Sequence, residues 1–146
     1  MQITPGLRQT NRITTMTISE SRRYLAYALE SSPAVIIVVD LVNKKKKPKT
    51  LTSRDIKSDT YISLLFRKEE EKKMKKAPYL ISVSGPPEHY IIIWNWEKAI
   101  PKIVAYVKIQ GTPRSIYNIF SPPCKEDDLY CLMGNDFFKI YKYHKE

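Results

Sequence analysis

Apolar residues fall along this chain in short runs of strand length, each closed by a polar turn. The first three runs occupy residues 13–18, 24–28 and 35–39, and Ser19-Glu20-Ser21-Arg22-Arg23 and Glu30-Ser31-Ser32-Pro33 separate them. Runs this short, rich in β-branched and aromatic side chains and divided by Ser, Pro and charged residues, predict strands joined by hairpin turns. The same order returns at 61–66, 79–83 and 90–96, followed by a fourth run at 103–109, and again at 115–120, 129–133 and 137–143. Each set predicts an antiparallel meander. Helical spacing is weak; only residues 67–76 place Glu69 four before Lys73 and Glu71 four before Lys75. With Met74 as the one apolar residue of that stretch, a stable buried helix is not expected there.

The recurrence has a period. Ile18, Phe66 and Phe120 are separated by 48 and 54 residues, and Val39, Trp94 and Tyr141 by 55 and 47. Three or four strands in roughly 40–50 residues is the spacing of a β-propeller blade. The unevenness sits in the turn after the first strand of the second copy, where residues 68–78 form a long insertion. We therefore expect an all-β fold of WD-repeat-type propeller blades, one region over residues 1–146 with repeats near 13–51, 61–109 and 115–146. Closed propellers have about 4–8 blades, and this chain encodes about two and a half. The expected architecture is an incomplete propeller, a fragment of a longer one, with apolar faces open at both ends.

Composition narrows the class. With 42% hydrophobic and 27% charged residues the chain is too apolar to be disordered, and it lacks the 18-residue apolar stretch of a membrane-spanning helix. Met1-Gln2-Ile3-Thr4-Pro5-Gly6 has no basic start or apolar run of a secretory signal, so a cytoplasmic site is expected. The formal net charge of +10 should attract acidic partners, whether nucleic acid, anionic lipid or acidic protein. Much of that charge is local. Lys44, Lys45, Lys46 and Lys47, followed by Pro48 and Lys49, form one basic run, and residues 67–76 form a mixed run that nets +3.

The sharpest local signal is Trp94-Asn95-Trp96, which stands where WD repeats place their Trp-Asp dipeptide at the end of a third strand. Val39-Asp40 and Tyr141-Lys142 hold the equivalent positions. Asp or Asn there is expected to stay polar at the blade's edge and accept hydrogen bonds that fix the next turn, a structural role. Ser84-Gly85-Pro86-Pro87-Glu88 and Met133-Gly134-Asn135-Asp136 read as hairpin turns before a third strand, and Pro122 and Pro123 as the end of a first strand.

Four ordered segments carry a resemblance to a known family. Arg22-Arg23-Tyr24-Leu25-Ala26, Gly85-Pro86-Pro87-Glu88, Trp94-Asn95-Trp96-Glu97-Lys98 and Gly134-Asn135-Asp136-Phe137-Phe138-Lys139 together resemble the amino-terminal WD-repeat region of cilia- and flagella-associated proteins. The resemblance runs over nearly the whole chain. It implies a non-catalytic scaffold or adaptor of the axoneme, a cytoskeletal location, and partners among inner dynein arm or regulatory-complex proteins with tubulin nearby. Family members are far longer, with further repeats and extended coiled coil, and the charged insertion departs from the short turn usual at its position.

Partner contacts are expected on loops, because strand backbone groups are consumed by the ladders. The candidates are Lys44, Lys45, Lys46, Lys47 and Lys49 on one loop and Lys72, Lys73, Lys75 and Lys76 on the insertion. A solvated interblade loop is the plain alternative. A basic module for nucleic acid or anionic lipid is the main rival function, although neither run interleaves aromatics for base stacking or forms an amphipathic helix for a membrane surface. Enzymatic chemistry is not expected. His89 and His144 are 55 residues apart, Cys124 and Cys131 do not form a CxxC pair, and phosphate-binding and nucleophile-elbow motifs are missing. No metal or cofactor is predicted, and Asp127-Asp128 reads as a pair of solvated turn carboxylates.

Overall fold

The computed structural model describes residues 11–68, 77–110, 115–123 and 128–144. Lys72, Lys73, Lys75 and Lys76, the Glu69 and Glu71 pairings with the lysines, Met74, Cys124, Asp127 and the first six residues lie outside them. The described residues form eleven strands and no helix. These are β1 (Ile13–Ile18), β2 (Tyr24–Leu29), β3 (Val35–Asp40), β4 (Lys49–Leu51), β5 (Tyr61–Phe66), β6 (Leu80–Ser84), β7 (Tyr90–Asn95), β8 (Lys102–Lys108), β9 (Ile116–Phe120), β10 (Leu129–Gly134) and β11 (Phe137–Lys142). They make three antiparallel sheets, β1-β2-β3-β4, β5-β6-β7-β8 and β9-β10-β11, each a meander in chain order.

The expectation of an all-β incomplete propeller therefore holds. The strands fall within a residue or two of the apolar runs, with one addition. Lys49–Leu51 joins the first sheet as a fourth strand although it offers only Leu51 to the core. A three-residue edge strand carries too little pattern to be seen in sequence, and register supplies it, through Ile36 opposite Leu51 and Val38 opposite Lys49.

Packing follows from the pleat. Alternate residues of one strand point to opposite faces, so a sheet covered on both sides must be apolar on both. The second sheet is such a sheet, which explains the near-continuous run Tyr90-Ile91-Ile92-Ile93-Trp94. Leu80, Ile92 and Trp94 pack with Ala26, Ile36 and Val38 of the first sheet, and Ile81, Val83, Ile91 and Ile93 pack with Ile116, Ile119 and Leu132 of the third. Each fully buried aliphatic side chain contributes about 1.5–3 kcal/mol, so these two layers carry the fold.

The first strands of the sheets stand side by side, β1 against β5 and β5 against β9. Two polar contacts stitch this inner row. The Thr14 hydroxyl donates to the Tyr61 carbonyl at 2.8 Å. The Ser63 hydroxyl donates to Asn118 Oδ1 at 2.6 Å and accepts the Ile119 N–H at 3.2 Å. The outward faces differ from the interior layers. On the first sheet Met16 pairs with Tyr27 and Ile18 with Leu25, and Met16 and Ile18 are 60% and 50% exposed. On the third, Phe138 and Ile140 are 58% and 57% exposed beside Met133.

Candidate partner-binding site

In a meander successive turns alternate between the two ends of the sheet. The β1–β2, β3–β4 and β7–β8 connections thus share one end, and the β2–β3, β4–β5 and β6–β7 connections the other. The basic run lies in the β3–β4 connection, and the local sequence explains its shape. Asp40, at the end of β3, accepts the Val42 and Asn43 backbone N–H groups at 3.1 and 2.9 Å. The Asn43 carbonyl then accepts the Lys46 N–H at 3.0 Å, and the Leu41 N–H donates to the Arg23 carbonyl at 2.8 Å. Short polar side chains that satisfy their own backbone in this way make compact turns. The signal was present in the sequence as Asp40 and Asn43 at the head of the lysines.

Asp40 is itself buried and paired. The Arg23 guanidinium donates to its carboxylate at 3.1 Å and sits 5.1 Å from the centre of the Tyr24 ring. Burial pushes the Asp40 pKa up, but the Arg23 hydrogen bond and the Asn43 and Val42 N–H groups outweigh it, holding the carboxyl below its ordinary value.

The lysine loop leans over the seam between the first and second sheets. A cavity of about 400 Å³ opens there, walled by Tyr24, Val38 and Trp96 and rimmed by Lys46, Lys47, Lys49, Asp40 and Glu97. Tyr24 and Trp96 meet edge to face, with ring centres 5.0 Å apart. The Trp96 indole N–H donates to the Pro78 carbonyl at 2.7 Å, and the Lys49 ammonium to the Lys98 carbonyl at 3.2 Å. Lys44, Lys45, Lys46 and Lys47 are exposed, and none has a carboxylate partner among the described residues.

The WD-like positions have structural surroundings. Trp94 is buried in the layer between the first two sheets, and its indole N–H donates to Ser82 Oγ at 2.9 Å. Val39 and Tyr141 stand at the matching place on β3 and β11, paired with Leu25 and Tyr130. Asn95 is half-buried and Lys142 exposed. His89 belongs to a turn, with Nδ1 2.9 Å from the Ser84 carbonyl oxygen, and Cys131 is buried. Among the described residues no three His, Cys, Asp or Glu side chains gather as a metal site.

One expectation is corrected. Asp128 is not a solvated turn carboxylate: it forms an ion pair with Arg67 at 2.6 Å and accepts the Tyr130 hydroxyl at 3.1 Å. Arg67 lies at the end of β5, sixty-one residues earlier, so the pairing is invisible to local reading. Trp96 with Tyr24 was likewise missed as a cavity wall, because Tyr24 starts β2 and Trp96 follows β7.

These features define a class, an all-β segment of propeller-type blades whose loops form one lysine-lined seam. The chain is 27% identical over 130 residues to cilia- and flagella-associated protein 57 of Mus musculus, a match covering 88% of this chain and 10% of that protein. The resemblance drawn from the four ordered segments is thereby borne out. The chain spans about one tenth of that relative's length. No family model matches the sequence.

Proposed function

We propose that this chain is part of a non-catalytic WD-repeat scaffold or adaptor of the cilium or flagellum, acting in the axoneme through its loops. The observation that carries this reading is the collinear similarity to a ciliary protein along 88% of the chain. The meander sheets support it, since they commit strand backbones to the ladders and leave turns to meet partners. Proximity to inner dynein arms or their regulatory complex is the finer part of the same proposal.

The test is to tag the native gene product in ciliated or flagellated cells and extract with detergent. Retention of the tag on the axoneme, with dynein-associated proteins recovered by proximity labelling, is the expected result. A diffuse or nuclear signal overturns it. The rival, a basic module for nucleic acid or anionic lipid, is favoured by the exposed Lys44 to Lys47 run, which has no carboxylate partner among the described residues. Titration with generic duplex and single-stranded DNA over a range of salt separates them. Tight binding with a steep log–log salt slope would sink the scaffold-only account.

A further inference from the structure

The two loop-bearing ends of the molecule differ in charge balance. At the end opposite the lysine loop, cations and acids are matched: Arg12 pairs with Glu30 at 2.8 Å, Lys108 with Glu88 at 2.6 Å, and Arg54 and Lys57 share a cavity wall with Asp59. At the lysine end the acids among the described residues are, apart from Glu20, already engaged. Asp40 is held by Arg23, Asp128 by Arg67, and Glu97 accepts the Ala77 N–H at 3.2 Å. Glu20 stands there against Arg22, Lys68, Lys98 and the four lysines of the run, for which no acid partner occurs among the described residues. Among the described residues, one end of the segment is therefore strongly basic and the other nearly neutral, a segregation that net charge alone does not reveal.

The basic end also contains the seam cavity. We propose that this seam docks an acidic peptide segment of a protein partner, its carboxylates on Lys44, Lys46 and Lys47 and one apolar side chain lodged against Tyr24 and Trp96. A volume of about 400 Å³ suits one or two side chains, and apolar walls beneath a charged rim are the composition of a side-chain pocket. Arg23, next to the loop, is committed to Asp40, and the cations that rim the cavity are lysines, point charges that meet carboxylate oxygens one at a time. Base stacking has no open platform here, because Tyr24 and Trp96 meet edge to face and the Arg23 guanidinium lies over the Tyr24 ring.

This inference rests on the scaffold reading and deepens it. The test uses the full chain and a fluorescein-labelled glutamate-rich peptide carrying one phenylalanine, followed by anisotropy at about 0.1 M salt. Saturable binding is expected, weakened about tenfold or more by Lys44→Glu with Lys46→Glu and Lys47→Glu, and less than about twofold by Arg54→Glu with Lys57→Glu. Replacing the peptide's phenylalanine by alanine should weaken binding several-fold. All five substituted residues are exposed, and matching thermal melts verify the fold; the corresponding Lys→Gln triple replaces any variant that fails that check. Failure to bind, equal loss from both sets, or preferential capture of a single-stranded oligonucleotide overturns the proposal. Axonemal retention with no peptide binding overturns the site alone, whereas loss of retention overturns the scaffold reading.

Discussion

Asp40 shows how one side chain fixes a surface loop. It accepts two turn N–H groups and an arginine while lying buried at the edge of the seam cavity. Replacing it by alanine should destabilise the chain by about 1–2 kcal/mol, measured by urea melts at neutral pH, because a half-exposed cation and two turn donors lose their partner together. Asp40→Asn keeps an acceptor and should cost less. The pH dependence has a definite sign. A carboxyl whose folded pKa is lowered stabilises above its unfolded value, and that contribution fades as pH falls through the lowered folded value. The gap between the native chain and Asp40→Asn should thus close on acidification; a gap that widens refutes the assignment. Tyr61, pushed up to about 12 by burial, stays neutral throughout this range.

At the scale of elements, the strand runs were readable because period-two patterning and turn residues act locally. The apolar run at 90–96 and the turn at Ser84 to Glu88 could be placed from neighbours alone. What could not be read depends on distant residues meeting. β4 owes its existence to a register with β3, the Arg67–Asp128 pair joins separate sheets, and the seam cavity needs Tyr24 and Trp96 brought together. The lysine run itself was plain in the sequence, but its end of the molecule is a property of the meander's alternation. The seam between the second and third sheets offers a direct test. Ser63 makes two hydrogen bonds across it, to Asn118 and to Ile119. Ser63→Ala should cost about 1–2 kcal/mol and, in native-state hydrogen exchange, loosen β9 to β11 more than β1 to β4. Uniform loss of protection would mean that the inner row is not the hinge of inter-sheet cohesion.

For the whole molecule the open flanks decide behaviour in solution. Met16 and Ile18 on one side, and Phe138 and Ile140 on the other, present apolar sheet faces of the kind that sheets elsewhere in the chain bury. The 146-residue chain by itself should therefore self-associate at micromolar concentration, and Met16→Lys with Ile140→Lys should shift it toward monomer in sedimentation velocity. A monodisperse native monomer with a cooperative melt would contradict this. The in-order meander has a kinetic consequence as well. Every ladder joins strands that are neighbours in sequence, so each sheet can complete its hydrogen bonding without waiting for the rest of the chain. As the polypeptide leaves the ribosome, the first sheet can close while the second is still being made, its Ala26, Ile36 and Val38 face bare until β5 to β7 arrive. Translation speed across residues 52–95 therefore sets how long that sticky surface must be guarded.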